Sequence, residues 1–402
     1  MRRSLTTLFL LGSCLAAPWA IAATPPKQPE QGPGGSDYKI SEVVKRGTGT
    51  ASSGTYVFHG SDMPAAPRPV VVFFHSWGAV NPGLYGGFID HLARKGYLVL
   101  FPRFQEVNRS RPADATTLSE TLIQNALTAL TEDAVAKPDL KRVAFIGHSA
   151  GMPIALNVAT GVGESKLPVP KLIFGLMPGG IASNEKERGI MLRDLSTIDA
   201  STLLITMSGD REHLPIDRAA RRILEAVSAV PANRKLFMRT SSDDHGYPPL
   251  TATTASPGSP KADYDASAIK LPPDPPRDPK QKNTWRWSAD MSLSGPQTIL
   301  TQQLGNNGTD TLDYLAYWRT FEIAADAAFA GKDAAALTRD SKFVDMGNWS
   351  DGWPVKRLSA QMPKVEGQEK PPEQGPRRRL NFAPPPTETK QGLSEFLNHL
   401  RS

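Results

Sequence analysis

Cysteine is all but missing. Cys14 is the single one among 402 residues, so a disulfide-stapled scaffold is excluded. Long apolar runs are missing too, apart from one at the N-terminus, which excludes a polytopic membrane protein. There is no H-E-x-x-H and no cysteine pair, and the seven histidines stand apart, so no metal site is expected. No glycine-rich phosphate loop follows a strand-like run, and no cofactor is implied. Charge of one sign is not in strong excess: 46 Lys and Arg against 40 Asp and Glu leave +6. The basic residues are scattered, except for Arg377, Arg378 and Arg379, whereas nucleic-acid binding needs them on one face. Nucleic acid is therefore not an expected partner.

Proline is what abounds. Much of its total of 36 falls in two late segments, which read as loop. Apolar residues make up 39% of the chain and gather in runs, which excludes disorder of the whole.

Residues 1–23 read as an export signal. Arg2 and Arg3 supply the charge, residues 5–17 the apolar stretch, and Ala20-Ile21-Ala22 the small residues for cleavage. Removal would leave a cysteine-free chain in the periplasm or outside the cell, without stable membrane insertion. The alternative is a lipoprotein box at Leu11-Gly12-Ser13-Cys14, against which the apolar run continues past Cys14.

The remainder divides by pattern. Residues 24–36, rich in Pro, Gly and Gln, are expected to form a disordered linker. Residues 37–246 alternate buried strands with amphipathic helices. Strands are expected at 70–74, 97–101, 143–146, 172–177, 203–207 and 235–240. Helices are expected at 83–95, 117–134, 150–160 and 217–230. This alternation predicts an α/β fold with a mostly parallel central sheet and helices on both faces. Residues 247–310 form a Pro-rich excursion, a connector or a partial lid, with Trp285 and Trp287 in its later half. Residues 311–358 hold a helix and a tight turn, Trp-Ser-Asp-Gly-Trp, completing the core, and 359–402 form a Pro- and charge-rich tail.

One motif carries chemistry. Gly147-His148-Ser149-Ala150-Gly151 follows a strand and opens a helix, the frame in which G-x-S-x-G acts as a nucleophile elbow. The serine sits on a sharp turn, so its neighbours two positions away must be small. A serine hydroxyl needs a base. His59 and His75 precede the elbow, His91 lies on a predicted helix, His148 points away from the serine, and His399 is in the tail. His245, in a polar loop after the last strand, is the favoured base, and His213 is its rival. The base needs a carboxylate to hold its tautomer. Asp210, just past the strand 203–207, is the favoured acid, with Glu212 as its rival. Ala150 N–H, next after the nucleophile, is one oxyanion donor.

The stretch from about residue 70 to 246 resembles the α/β-hydrolase superfamily, on its elbow at Ser149 and its chain order of Ser, Asp and His. Within it the chain looks like secreted esterases of the dienelactone-hydrolase, chlorophyllase and cutinase-like branch. The resemblance implies that the loop after the first central strand, His75-Ser76-Trp77-Gly78, gives the second oxyanion donor, the N–H of Trp77. Ser76 stands where that loop usually has glycine. The activity implied is cleavage of a small-molecule ester or related acyl bond through an acyl-enzyme. Lactone or dienelactone opening, amide hydrolysis and acyl transfer use the same triad, and a non-catalytic binding protein can keep the same fold.

Overall fold

The computed structural model describes residues 22–363, apart from 63–65, 107–108, 162–166, 212, 277–285 and 294–296. The expected cleavage segment up to residue 21, Glu212, Trp285 and the tail beyond residue 363 lie outside the described residues.

Among the described residues eleven strands are formed: β1 Val43–Gly49, β2 Gly54–Gly60, β3 Arg68–Phe74, β4 Leu98–Pro102, β5 Pro138–His148, β6 Leu172–Leu176, β7 Ile181–Ala182, β8 Ile190–Met191, β9 Leu203–Gly209, β10 Lys235–Thr240 and β11 Ser359–Gln361. Nine of them make one sheet in the order β1-β2-β4-β3-β5-β6-β9-β10-β11. The pairs from β4 through β10 are parallel, while β1–β2, β2–β4 and β10–β11 are antiparallel.

The central strands carry apolar runs because both faces are covered. In β3, Val71 and Phe73 enter one core, while Val70, Val72 and Phe74 enter the other. On the first face lie α1 (Gly86–Arg94) and the long helix that ends the core. That helix starts as a π-helical stretch, Leu312–Trp318, and continues as α6, Arg319–Phe329. Phe88, Leu92, Trp318 and Phe321 fill the core between them and the sheet. On the second face lie α2 (Ala115–Leu130), α3 (Gly151–Thr160) and α4 (His213–Ala226), which contribute Leu122, Ile154 and Ile223. A helix α5, Gln297–Asn306, precedes the long one, and two short helices follow it, α7 (Ala334–Arg339) and α8 (Ser341–Val344).

Three segments depart from the sequence-based expectations. Residues 24–36 are not a disordered linker. Pro26 O accepts bonds from Thr311 Oγ1 and Tyr314 Oη, Gly34 N–H donates to Glu322, and Thr24 exchanges bonds with Ser350. A proline-rich chain keeps its carbonyls as acceptors, and the C-terminal helices supply the donors. Secondly, residues 359–361 are not tail, because they extend the sheet as β11 beside β10.

The third is the excursion after His245. Its first half straps α1 and the β1–β2 hairpin: Ser259 O and Oγ accept from Gly87 and Phe88, Tyr264 is fully buried and donates to Asp90, and Ala51 N–H donates to Pro272 O. Its first residues touch the elbow through the Thr254 carbonyl, 2.7 Å from His148 Nε2, and its later part returns there, where Leu293 joins the core that contains Trp77 and Ala150. Among the described residues no helix is long and apolar enough to cross a membrane.

Candidate active site

Strand β5 ends at His148 and α3 begins at Gly151, so Ser149 occupies the turn between them. Its φ is +51°, a left-handed conformation that costs a non-glycine residue on the order of 1–3 kcal/mol. The surroundings hold it there. Ser149 N–H donates to Leu176 O at 2.9 Å, and Ser149 O accepts from Met152 and Gly179 at 3.1 and 3.2 Å. The flanking glycines are required by close approach: a Cβ on Gly147 would lie 2.6 Å from Met152 Cα, and one on Gly151 would collide with the Phe74 carbonyl. Ser149 is only half-buried, and its Oγ faces Gly179.

The loop of His75 to Gly78 lies against the elbow, because α3 starts in contact with the last residues of β3. Trp77 and Ala150 are both buried, and among the described residues neither backbone N–H has an acceptor. Unpaired buried N–H groups are rare. Ala150 follows the strained serine in the chain, and Trp77 belongs to the same buried core. The indole of Trp77 is itself packed in the core with 1% exposure, so its ring does not line an open cleft.

A chain of hydrogen bonds fixes loop and elbow to each other. Ser76 N–H donates to Tyr85 Oη at 3.3 Å, and Tyr85 Oη lies 2.8 Å from His148 Nδ1. His148 Nε2 lies 2.7 Å from the Thr254 carbonyl. A carbonyl only accepts, so Nε2 carries the proton and Nδ1 accepts from the tyrosine. Complete burial holds His148 down to about 4 and His75 down to about 3, so both rings are neutral at pH 7. His75 is stacked on Phe104, with centroids 4.0 Å apart. Neither ring is placed to act as a base.

The expected triad is not assembled in this conformation. His245 sits at the tip of a hairpin-like loop closed by the bridge between Asp243 and Leu250. Its Nε2 is 2.7 Å from Asp351 Oδ2, and its ring stacks on Trp353 at 5.4 Å. The hydrogen bond from His245 holds the Asp351 carboxyl below the ordinary carboxylate range. Asp210, directly after β9, does not meet His245. It accepts from Ser242 N–H and Oγ at 2.9 and 2.6 Å, which anchors the start of the same loop. Among the described residues no imidazole contacts Ser149 Oγ. The residues after β10 that do reach the elbow are those around Ala252 and Thr254. His213 is the first residue of α4, and its side chain lies outside the described residues.

Sequence reasoning missed Asp351, Tyr85 and Thr254. Asp351 was visible only as part of a turn, where its Oδ1 accepts Trp353 N–H at 3.0 Å. Among the described residues no cluster of three or more His, Cys, Asp or Glu could hold a metal ion.

Residues 61–192 match the chlorophyllase family. No curated protein matches. Among solved structures, carboxyl esterase 2 of the fungus Tuber melanosporum is 15% identical, with 50% of this chain and 78% of that chain covered and a TM-score of 0.38. A thermostable esterase from Pseudomonas putida is 16% identical over 51% of this chain and 74% of that chain, with a TM-score of 0.37. A Rhizomucor miehei esterase is 12% identical over 51% and 76%, with a TM-score of 0.38. On its parallel sheet, its elbow and its family match, this chain resembles the α/β-hydrolase superfamily in its esterase and chlorophyllase region.

Proposed function

We propose that this protein is an exported serine hydrolase that cleaves a small carboxylic ester or related acyl bond. The observation that carries the reading is Ser149, held at φ +51° between a strand and a helix by glycines that nothing larger could replace. Structure of that kind is retained at functional sites, because strain has to be offset elsewhere in the fold.

In this reading Ser149 Oγ attacks the carbonyl carbon and an imidazole takes its proton. The N–H groups of Ala150 and Trp77 hold the oxyanion, at about 3 kcal/mol per donor in comparable sites. The imidazolium returns the proton to the leaving alcohol, and water then resolves the acyl-enzyme. His245 is the proposed base, with Asp351 as the carboxylate on its ring and Asp210 bracing its loop through Ser242. Catalysis then requires the His245 loop and the turn that carries Asp351 and Trp353 to swing together over the sheet. A second reading gives the base to His213. It is favoured by Thr254, not His245, being the residue after β10 that reaches the elbow. Lactone opening, amide hydrolysis and acyl transfer would use the same groups.

Export rests on the charged, apolar and small-residue order of residues 1–23. The functional test is hydrolysis of a panel of p-nitrophenyl esters by the wild type and Ser149→Ala. Turnover by the wild type and none by the variant supports the reading. Absence of turnover on every ester, lactone and amide tried would leave only a binding role.

A further inference from the structure

A cavity of about 380 Å³ opens beside the elbow. One wall is the loop after β6, including Gly179 and Gly180. The other is the face of α4 that carries Ile216, Arg218, Ala219 and Arg222. The loop wall is in direct contact with the site. A Cβ on Gly179 would lie 3.6 Å from Ser149 Oγ, and one on Gly180 would lie 2.9 Å from Ala150 Cβ. The nucleophile and one proposed oxyanion donor therefore stand immediately behind this wall.

The cavity is mostly apolar, yet two guanidinium groups stand on it. Arg218 and Arg222 are four residues apart, so they project from the same side of α4. Both are exposed. Some arginines elsewhere in the fold find carboxylates, as Arg193 does with Glu120 at 2.5 Å and Arg142 with Asp139 at 2.6 Å, while others, such as Arg234, bond only carbonyls. Among the described residues Arg218 and Arg222 pair with no carboxylate. Arg222 donates only to the neutral Ser183 hydroxyl, at 3.2 Å. Glu187, which shares the Ser183 segment that Arg222 touches, is occupied by Ser183 N–H and Asn184. Asp217, next to Arg218 in the chain, is occupied by Ser208 and Arg239.

We propose that this cavity selects esters that carry a carboxylate. The apolar body of the substrate would lie between Gly179 and Ile216, and its carboxylate would be received by Arg218 and Arg222. Guanidinium groups suit this task because they stay charged at all working pH values and present parallel donors to a carboxylate. An apolar slot with a cationic rim fits a half-ester of a short dicarboxylic acid, or an aromatic ester with an acid group. The proposal rests on the hydrolase reading and adds the substrate class.

The test compares charged and neutral partners of the same size. For the acyl side, the p-nitrophenyl half-ester of glutaric acid is set against p-nitrophenyl pentanoate. For the alcohol side, 4-acetoxybenzoic acid is set against 4-acetoxybenzamide. The wild type should prefer the charged member of one pair by about tenfold or more in kcat/KM, the size expected for a charge-assisted contact. In the double variant Arg218→Gln with Arg222→Gln that preference should vanish, chiefly through KM, while the neutral ester is hydrolysed within about twofold of wild type. The pair that responds tells which side of the ester carries the acid. Equal rates on both members of both pairs in the wild type, or a preference the double variant keeps, would overturn the proposal. Glutarate stabilisation of the Ser149→Ala protein in a thermal melt, absent in the triple variant, reads the same site without turnover. A failed hydrolase reading is thereby separated from a failed binding site.

Discussion

His245 and Asp351 are 106 residues apart in the chain and share a hydrogen bond of 2.7 Å between Nε2 and Oδ2. The pair is partly exposed, with 29% and 47% of the side chains accessible, and the imidazole lies flat on Trp353. This is a held imidazole with its Nδ1 left over for a proton, on a loop whose base is tied to Asp210. If His245 is the base, His245→Ala should lower kcat/KM by about three orders of magnitude or more, and Asp351→Asn by less. His213→Ala should be near wild type. The reverse pattern, an active His245→Ala and a dead His213→Ala, assigns the base to α4 instead.

Tyr85 couples the loop at Ser76 to the elbow at His148. Tyr85→Phe removes the hydroxyl that accepts Ser76 N–H and donates to His148, without changing the packing of the ring on Phe73. The expected result is a fall of about tenfold in kcat with KM unchanged, because the donors are displaced from the transition state and not from the ground state. Steady-state kinetics on a neutral ester check this. A KM change with kcat intact would mean that the tyrosine acts on substrate binding.

The elbow and the sheet were legible in the sequence because their signals are local. Residues 70–74 are apolar at every position, which only a strand covered on both faces tolerates, and the five-residue elbow motif needs no long-range partner. The acid contacts of the histidine loop were not legible. Asp210 and Asp351 both sit near strand ends or turns, and chain order alone favours Asp210, while the packing of Trp349 and Trp353 decides which carboxylate meets His245. The order of residues 24–36 was hidden for a similar reason. Their composition is that of a free linker, and the donors that pin them come from residues beyond 310.

Stability should depend on pH through two buried rings. His75 and His148 are held at about 3 and about 4 in the fold, against 6.5 for an ordinary histidine. Above that value neither folded nor unfolded chain binds these protons, so the rings leave stability unchanged. As the pH falls below it, the unfolded chain takes up protons that the folded chain refuses. Stability then drops by up to ~1.4 kcal/mol per pH unit for each ring. Thermal melts should show Tm flat from pH 8 to 7 and falling toward pH 5, on the scale set by those shifts. His148→Gln should reduce the slope. A Tm that rises across the same range contradicts the buried neutral state.

Asp313 should behave in the opposite sense. It is fully buried at the start of the long C-terminal helix, with Oδ2 accepting Asp310 N–H at 2.9 Å and Oδ1 without a partner among the described residues. Burial, and then the nearby Asp310, raise its pKa well above the ordinary carboxylate range. As pH rises past the unfolded value of about 3.9, the unfolded chain releases this proton and the folded chain keeps it, so the group costs stability at neutral pH. Asp313→Asn keeps the bond to Asp310 and removes the titration. Its Tm should exceed that of the wild type at pH 8 and converge with it near pH 4. A variant less stable than wild type at pH 8 would mean that Asp313 is charged and paired.

The central claim is that Ser149 is the nucleophile, and covalent labelling tests it most directly. The intact protein is treated with a fluorophosphonate, and the mass gain is measured and mapped. The account predicts one label per chain on the peptide containing Ser149, loss of ester turnover in step with labelling, and no label on Ser149→Ala. An unlabelled wild type that still hydrolyses esters, or a Ser149→Ala protein that is labelled and active, would contradict it.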